Sequence, residues 1–155
     1  MVLGSRSTYA RAGLGGIDGR APRAGDRLPC GAGHGAQRQA PRAFVHADGP
    51  LRVLPGPQDA FFDEEAWALF VGSDWRITRE ADRMGLRLQG PVLRHRAGCS
   101  ADIVSEGVVP GAVQVPGAGQ PIVLGVDAQT IGGYAKIATV ISADLPRLAH
   151  ARPGS

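Results

Sequence analysis

The sequence predicts a mainly β fold, a barrel or sandwich with two short helices, and three observations lead to it. From Phe44 onward, short apolar runs alternate with the turn signals Gly90-Pro91, Pro110-Gly111, Pro116-Gly117 and Gly132-Gly133, a spacing that suits many short strands. Only two stretches carry helix-start chemistry. The length of 155 residues fits one domain able to bury roughly 70% of its unfolded surface.

Taken in order, residues 51–54 read as a strand that ends at Pro55-Gly56-Pro57. Asp63-Glu64-Glu65, followed by Ala66, Trp67, Leu69 and Phe70, reads as a helix. Its acidic first turn complements the helix dipole, and Gly72 stops it. Further strands are expected at 75–79, 83–88, 103–105, 112–115, 122–126 and 134–141. Asp144 is placed to cap a second helix over 145–150. Residues 1–43 are rich in Gly, Arg, Pro and Ala, with hardly an apolar residue after Leu28. Such a segment has little to bury, so it is separated from a folded domain over 44–155 and expected to be poorly ordered in isolation.

Composition excludes several functions. The net charge of +3 comes from arginines scattered along the chain, Lys136 being the single lysine among 17 basic residues. Aromatic residues make up 5%, whereas nucleic-acid surfaces cluster basic residues with stacking partners. No run approaches the ~20 apolar residues that span a bilayer, and the first six residues lack a signal-peptide core. The expectation is a cytoplasmic protein with no membrane and no nucleic-acid partner. Cys30 and Cys99 have no partner at metal-ligand spacing, and His34, His46, His95 and His150 sit in unrelated contexts, so no metal is expected.

Several polar residues stand out. Arg83 and Arg87 share one face of the expected strand, about 13 Å apart at ~3.3 Å per residue, with Gly85 between them. They suit two anionic groups along a groove, or simply a solvated strand face. Thr130-Ile131-Gly132-Gly133 fits either a tight hairpin turn or a backbone nest for an anion. Tyr134 and Lys136 fall on one strand face ~7 Å apart. A lone Lys in an Arg-rich chain is suited to tuning by burial, although it also fits a surface position. Glu106 and Asp127 flank strands, where polar groups gather at a barrel rim. The Gln114 amide, between Val113 and Val115, is able to hydrogen-bond a substrate amide. Gly13-Leu14-Gly15-Gly16 follows no apolar strand, which rejects a dinucleotide loop.

Three longer segments are more specific. They are 82–91 (DRMGLRLQGP), 105–116 (SEGVVPGAVQVP), and 119–141, which contains GQPIVL, DAQTIGGY and ATVI. With LGSRSTY at 3–9 and GGIDGR at 15–20, they resemble the KipA family, which includes the C-subunit of bacterial 5-oxoprolinase and is similar to half of the carboxyltransferase domain of urea carboxylase. Gln114 stands where the urea-carboxylase branch carries Asn, and Gln129-Thr130 where it carries Pro-Ser. This places the chain on the 5-oxoprolinase side. Family members usually carry Arg, Thr and Pro at the positions of Ala128, Ile131 and Ala135. Met1 falls midway along the family's usual chain and Ser155 precedes its last strand and helix, so the domain is expected to be incomplete at both ends.

The resemblance implies a cyclophilin-like β-barrel and ATP-dependent opening of the 5-oxo-L-proline lactam to glutamate. It implies KipI-like and LamB/YcsF-like partner subunits and a reactive cleft shared with the KipI-like one, so the chain alone is expected to be inactive. ATP is implied by the family only, since the chain has no phosphate loop, and no Met-Lys-Met biotin site is present. Asp127, Lys136 and Glu106 become the candidate catalytic groups. Arg83, Arg87, Gln114, Thr130, Gly132, Gly133 and Tyr134 become the candidate substrate contacts. The alternatives are a carboxyltransferase half-domain acting on a urea-like acceptor, and a non-catalytic regulator that binds a KipI-like kinase inhibitor.

Overall fold

The structure, a computed structural model, describes residues 1–29, 31 and 49–155, so Cys30, His34 and His46 lie outside the described residues. The chain divides into two units, 1–43 and 44–155. In the first, β1 (Thr8–Tyr9) and β2 (Leu14–Gly15) pair antiparallel around a 3-10 turn, Ala10–Ala12. Gly15 adopts φ 70°, and a Cβ there would lie 2.2 Å from the Ser7 carbonyl oxygen, so the position admits only glycine. Arg20 and Asp26 form a bidentate ion pair.

The second unit begins its regular structure with β3 (Val53–Pro55), a 3-10 turn at Asp59–Phe61 and α1 (Glu64–Gly72). There follow β4 (Arg76–Ile77), β5 (Gly85–Gln89), β6 (Asp102–Gly107), β7 (Ala112–Gln114) and β8 (Ile122–Leu124). Last come β9 (Ile131–Tyr134), β10 (Lys136–Val140), a 3-10 turn at Ser142–Asp144 and α2 (Leu145–His150). Six strands form one sheet in the order β3-β10-β7-β8-β5-β4, while β6 and β9 form a separate ribbon. The architecture is mainly β with two short helices, as expected.

Burial explains the layering. Val113, Val115, Ile137 and Ala138 from the central strands pack with Phe62, Leu93 and α1 residues Ala66 and Phe70 into one apolar cluster. Asp63 caps α1 by accepting the Ala66 N–H at 2.8 Å, while Glu64 and Glu65 occupy its first turn. Pro55 is the last residue of β3, which is permitted because β3 is an edge strand needing no donor on its open side.

Four expectations are corrected. The strand expected over 134–141 breaks at Ala135 into β9 and β10, which belong to different sheets. Tyr134 and Lys136 therefore do not share a strand face. Gly132-Gly133 is neither hairpin turn nor nest but extended strand, with Gly132 opposite Glu106. Arg83 precedes β5 rather than lying on it. Asp144 makes no side-chain cap to α2, because its carboxylate is taken by Arg52.

Candidate functional site

The site begins with two irregularities in pairing. Between Lys136 and Ala138 the β10–β7 register slips, so that Lys136 lies opposite Gln114 while Ala138 lies opposite Val113. Ile137 is thereby the extra residue of a bulge. A bulge turns a side chain away from simple alternation, and Lys136, Ile137 and Ala138 are all buried in succession. The β6–β9 ribbon slips too, between Asp102 and Glu106, and this brings Glu106 opposite Gly132.

These slips close a ring of side chains. The Lys136 ammonium is 3% exposed and lies 2.7 Å from Glu106 Oε1. Gln58 Nε2 donates to the same oxygen at 2.7 Å. Gln114, opposite Lys136 on the neighbouring strand, is 2% exposed, and its Nε2 has no hydrogen-bond partner. That amide occupies the space over Gly132, where a Cβ would come within 2.5 Å of Nε2. Gly132 in turn faces Glu106. The Lys136–Glu106 contact is an ion pair, and an ammonium carries three N–H donors, so Nζ retains donor capacity beyond it. Lys136 and then Gln58, through their polar contacts, hold the Glu106 carboxyl below the usual carboxylate range.

A buried donor such as Gln114 Nε2, without an acceptor among the described residues and next to an ion-paired lysine, is uncommon in a folded interior. Each such group normally costs the full desolvation penalty. The arrangement sets the donors Lys136 Nζ and Gln114 Nε2 near an acceptor, Glu106, whose side chain is 43% exposed.

The other expected residues lie apart from this ring. Arg83 Nε contacts Asp127 Oδ2 at 2.8 Å, and both side chains are well exposed. Asp127 is thus paired with Arg83 and makes no contact with Lys136 or Glu106 among the described residues. Arg87 and Thr130 are exposed. Tyr134 is 40% exposed and lies opposite Asp102 at the far end of the ribbon. Gln58 was missed by sequence reading. It lies in a loop with no motif, and its role depends on a contact 48 residues away. No group of three His, Cys, Asp or Glu able to hold a metal is found among the described residues, and no helix there is long and apolar enough to cross a membrane.

The family "Carboxyltransferase domain, subdomain A and B" matches residues 1–155. The chain belongs to this carboxyltransferase-domain family. It is 42% identical over 157 residues to the 5-oxoprolinase C-subunit of Escherichia coli, covering 96% of this chain and 48% of that protein. It is 40% identical to the 5-oxoprolinase C-subunit of Haemophilus influenzae, covering 99% of this chain and 49% of that one. The chain thus spans about half the length of these curated relatives. Among solved structures it is similar to the K. lactis urea amidolyase, with TM-score 0.71 and 26% identity, covering 98% of this chain and 11% of that one. In this carboxyltransferase-family chain, the buried ring joins Gln114 and Lys136 of the large sheet to Glu106 and Gly132 of the ribbon.

Proposed function

We propose that this chain is part of a 5-oxoprolinase C-subunit and contributes the Lys136–Glu106–Gln114 ring to the opening of the 5-oxo-L-proline lactam. The reading is supported by the two 5-oxoprolinase relatives at 42% and 40% identity. The observation that carries the site is the buried Gln114 Nε2, without a hydrogen-bond partner among the described residues, beside a Lys136 side chain paired with Glu106. A lactam carbonyl oxygen accepts from both, and preorganised donors of this kind favour the oxygen as negative charge develops on it. Glu106 pairs with the Lys136 side chain at 2.7 Å and offers its second oxygen to the ring N–H.

ATP enters this reading through the family resemblance, and the reading assigns its chemistry to the assembly with the KipI-like and LamB/YcsF-like partners.

The test is ATP hydrolysis dependent on 5-oxoproline, by the full-length protein assembled with those two partners. Lys136→Met and Gln114→Leu each lower turnover by ~10²–10⁴-fold while the complex still assembles. Near-normal turnover in both variants would remove the ring from the reaction. Turnover with urea in place of 5-oxoproline would move the chain to the urea-carboxylase branch, to which it is related at 27% identity in Emericella nidulans.

A further inference from the structure

We infer that Gln58 is the positioning residue of this ring, fixing at once the carboxylate of Glu106 and the backbone that carries Lys136. The inference goes beyond the proposed reaction in naming a residue that need not touch a ligand, and it rests on that reading only for its activity arm.

Gln58 uses three groups. Its side-chain Nε2 donates to Glu106 Oε1 at 2.7 Å, its side-chain Oε1 accepts the Lys136 backbone N–H at 3.2 Å, and its own backbone N–H donates to the Lys136 carbonyl at 3.3 Å. The two side-chain bonds allow one amide orientation. Reversed, the oxygen would face a carboxylate and the NH₂ would face an N–H donor. The supporting loop is itself clamped. Gly56 donates to the Ile137 carbonyl at 2.8 Å, and a Cβ on Gly56 would come within 2.3 Å of the Lys136 carbonyl oxygen. Only a residue without a side chain lets the loop lie this close to the bulge.

The consequence is geometric. Glu106 lies on a two-stranded ribbon and its side chain is 43% exposed. Lys136 lies on the six-stranded sheet, and no ladder joins that sheet to the ribbon. Gln58 bridges the two by bonding one partner's side chain and the other's main chain. It holds Oε1 on the ammonium. Among the described residues the charged group paired with Glu106 is Lys136 from β10, while Asp102 and Tyr134 pair with each other four residues along the ribbon. Gln58 is partly exposed, so replacing it leaves the core intact.

The test is a carboxyl-carbon NMR titration of Glu106 in the full-length protein labelled with 13C-glutamate, the resonance assigned by its loss in Glu106→Gln. Gln58→Leu removes the donor and moves the Glu106 midpoint up. Gln58→Glu sets a second carboxylate beside it and moves the midpoint up further. In the assembled complex, Gln58→Leu lowers kcat by up to ~10²-fold, the scale of a misplaced reacting group, and its acid limb shifts upward with the titration. An unchanged Glu106 midpoint in both variants overturns the positioning role, whatever happens to turnover or melting temperature. A shifted midpoint with wild-type turnover upholds the positioning role and instead takes the ring out of the proposed reaction.

Discussion

At the scale of single residues, Asp144 shows how a charge is kept inside this fold. It is 1% exposed, yet it accepts from the Arg52 backbone N–H at 2.8 Å and from Arg52 Nε and a terminal guanidinium nitrogen at 3.1 and 2.8 Å. Arg52, first through its side-chain hydrogen bonds, pulls the Asp144 carboxyl down to about 2 from an ordinary 3.8. The unfolded chain therefore takes up this proton first as pH falls. The contribution to stability is complete above about pH 4 and is lost progressively toward pH 2. Asp144→Asn is expected to lower the urea midpoint at pH 7, with the gap to wild type narrowing between about pH 4 and pH 2.5. A gap of constant width over that range would contradict the assignment. Sequence reading placed Asp144 at a helix start correctly and misread its bond, because local spacing favours a cap while the true partner lies 92 residues away. Lys136 stands out in the sequence as the only lysine, and the structure buries it beside Glu106. Asp127 stands out for flanking a strand where polar groups gather at a barrel rim, and its carboxylate pairs with Arg83.

At the scale of elements, the legible parts are those set by local chemistry. The acidic run before Ala66, Trp67 and Phe70 gives α1, and its cap bond from the Ala66 N–H to Asp63 is present. Asp63→Ala is expected to destabilise the larger unit by about 1 kcal/mol, the usual worth of such a cap. Urea unfolding of the two proteins side by side measures it, and a loss below a few tenths would mean that core packing of Phe62, Ala66 and Phe70 alone holds the helix. Both pairing slips were illegible. A strand period of two residues specifies faces only while the register holds, and nothing in Tyr134-Ala135-Lys136 announces that the chain leaves one sheet and enters another. The same limit hid the role of Gly132. Paired glycines ordinarily mark a turn, but here Gly132 leaves room for the Gln114 amide from β7 of the other sheet, a requirement set by tertiary contact.

At the scale of the whole molecule, the two units differ in what they bury, and their stability should differ accordingly. Among residues 1–29 only Gly19 is buried, and β1 and β2 are two residues each. A hairpin of that size is marginal in water without an apolar face to cover. In the larger unit, Val113, Val115, Ile137 and Ala138 are at most 1% exposed and lie on or beside β7 and β10, adjacent interior strands of the six-stranded sheet. Opening those strands exposes the shared core, so their amides exchange only through the largest unfolding event, whereas amides of a coreless hairpin exchange through local opening. The ribbon of β6 and β9 falls between, since Val104 is 90% exposed and Ile131 59% exposed while Glu106 is tied to the sheet through Lys136. Hydrogen exchange followed by mass spectrometry on the 155-residue chain is expected to rank protection as β7 and β10 first, β6 and β9 second, and residues 8–20 last. Protection over residues 8–20 equal to that of β10 would show that this unit is held by more than its own contacts, and the ranking would fail at its base.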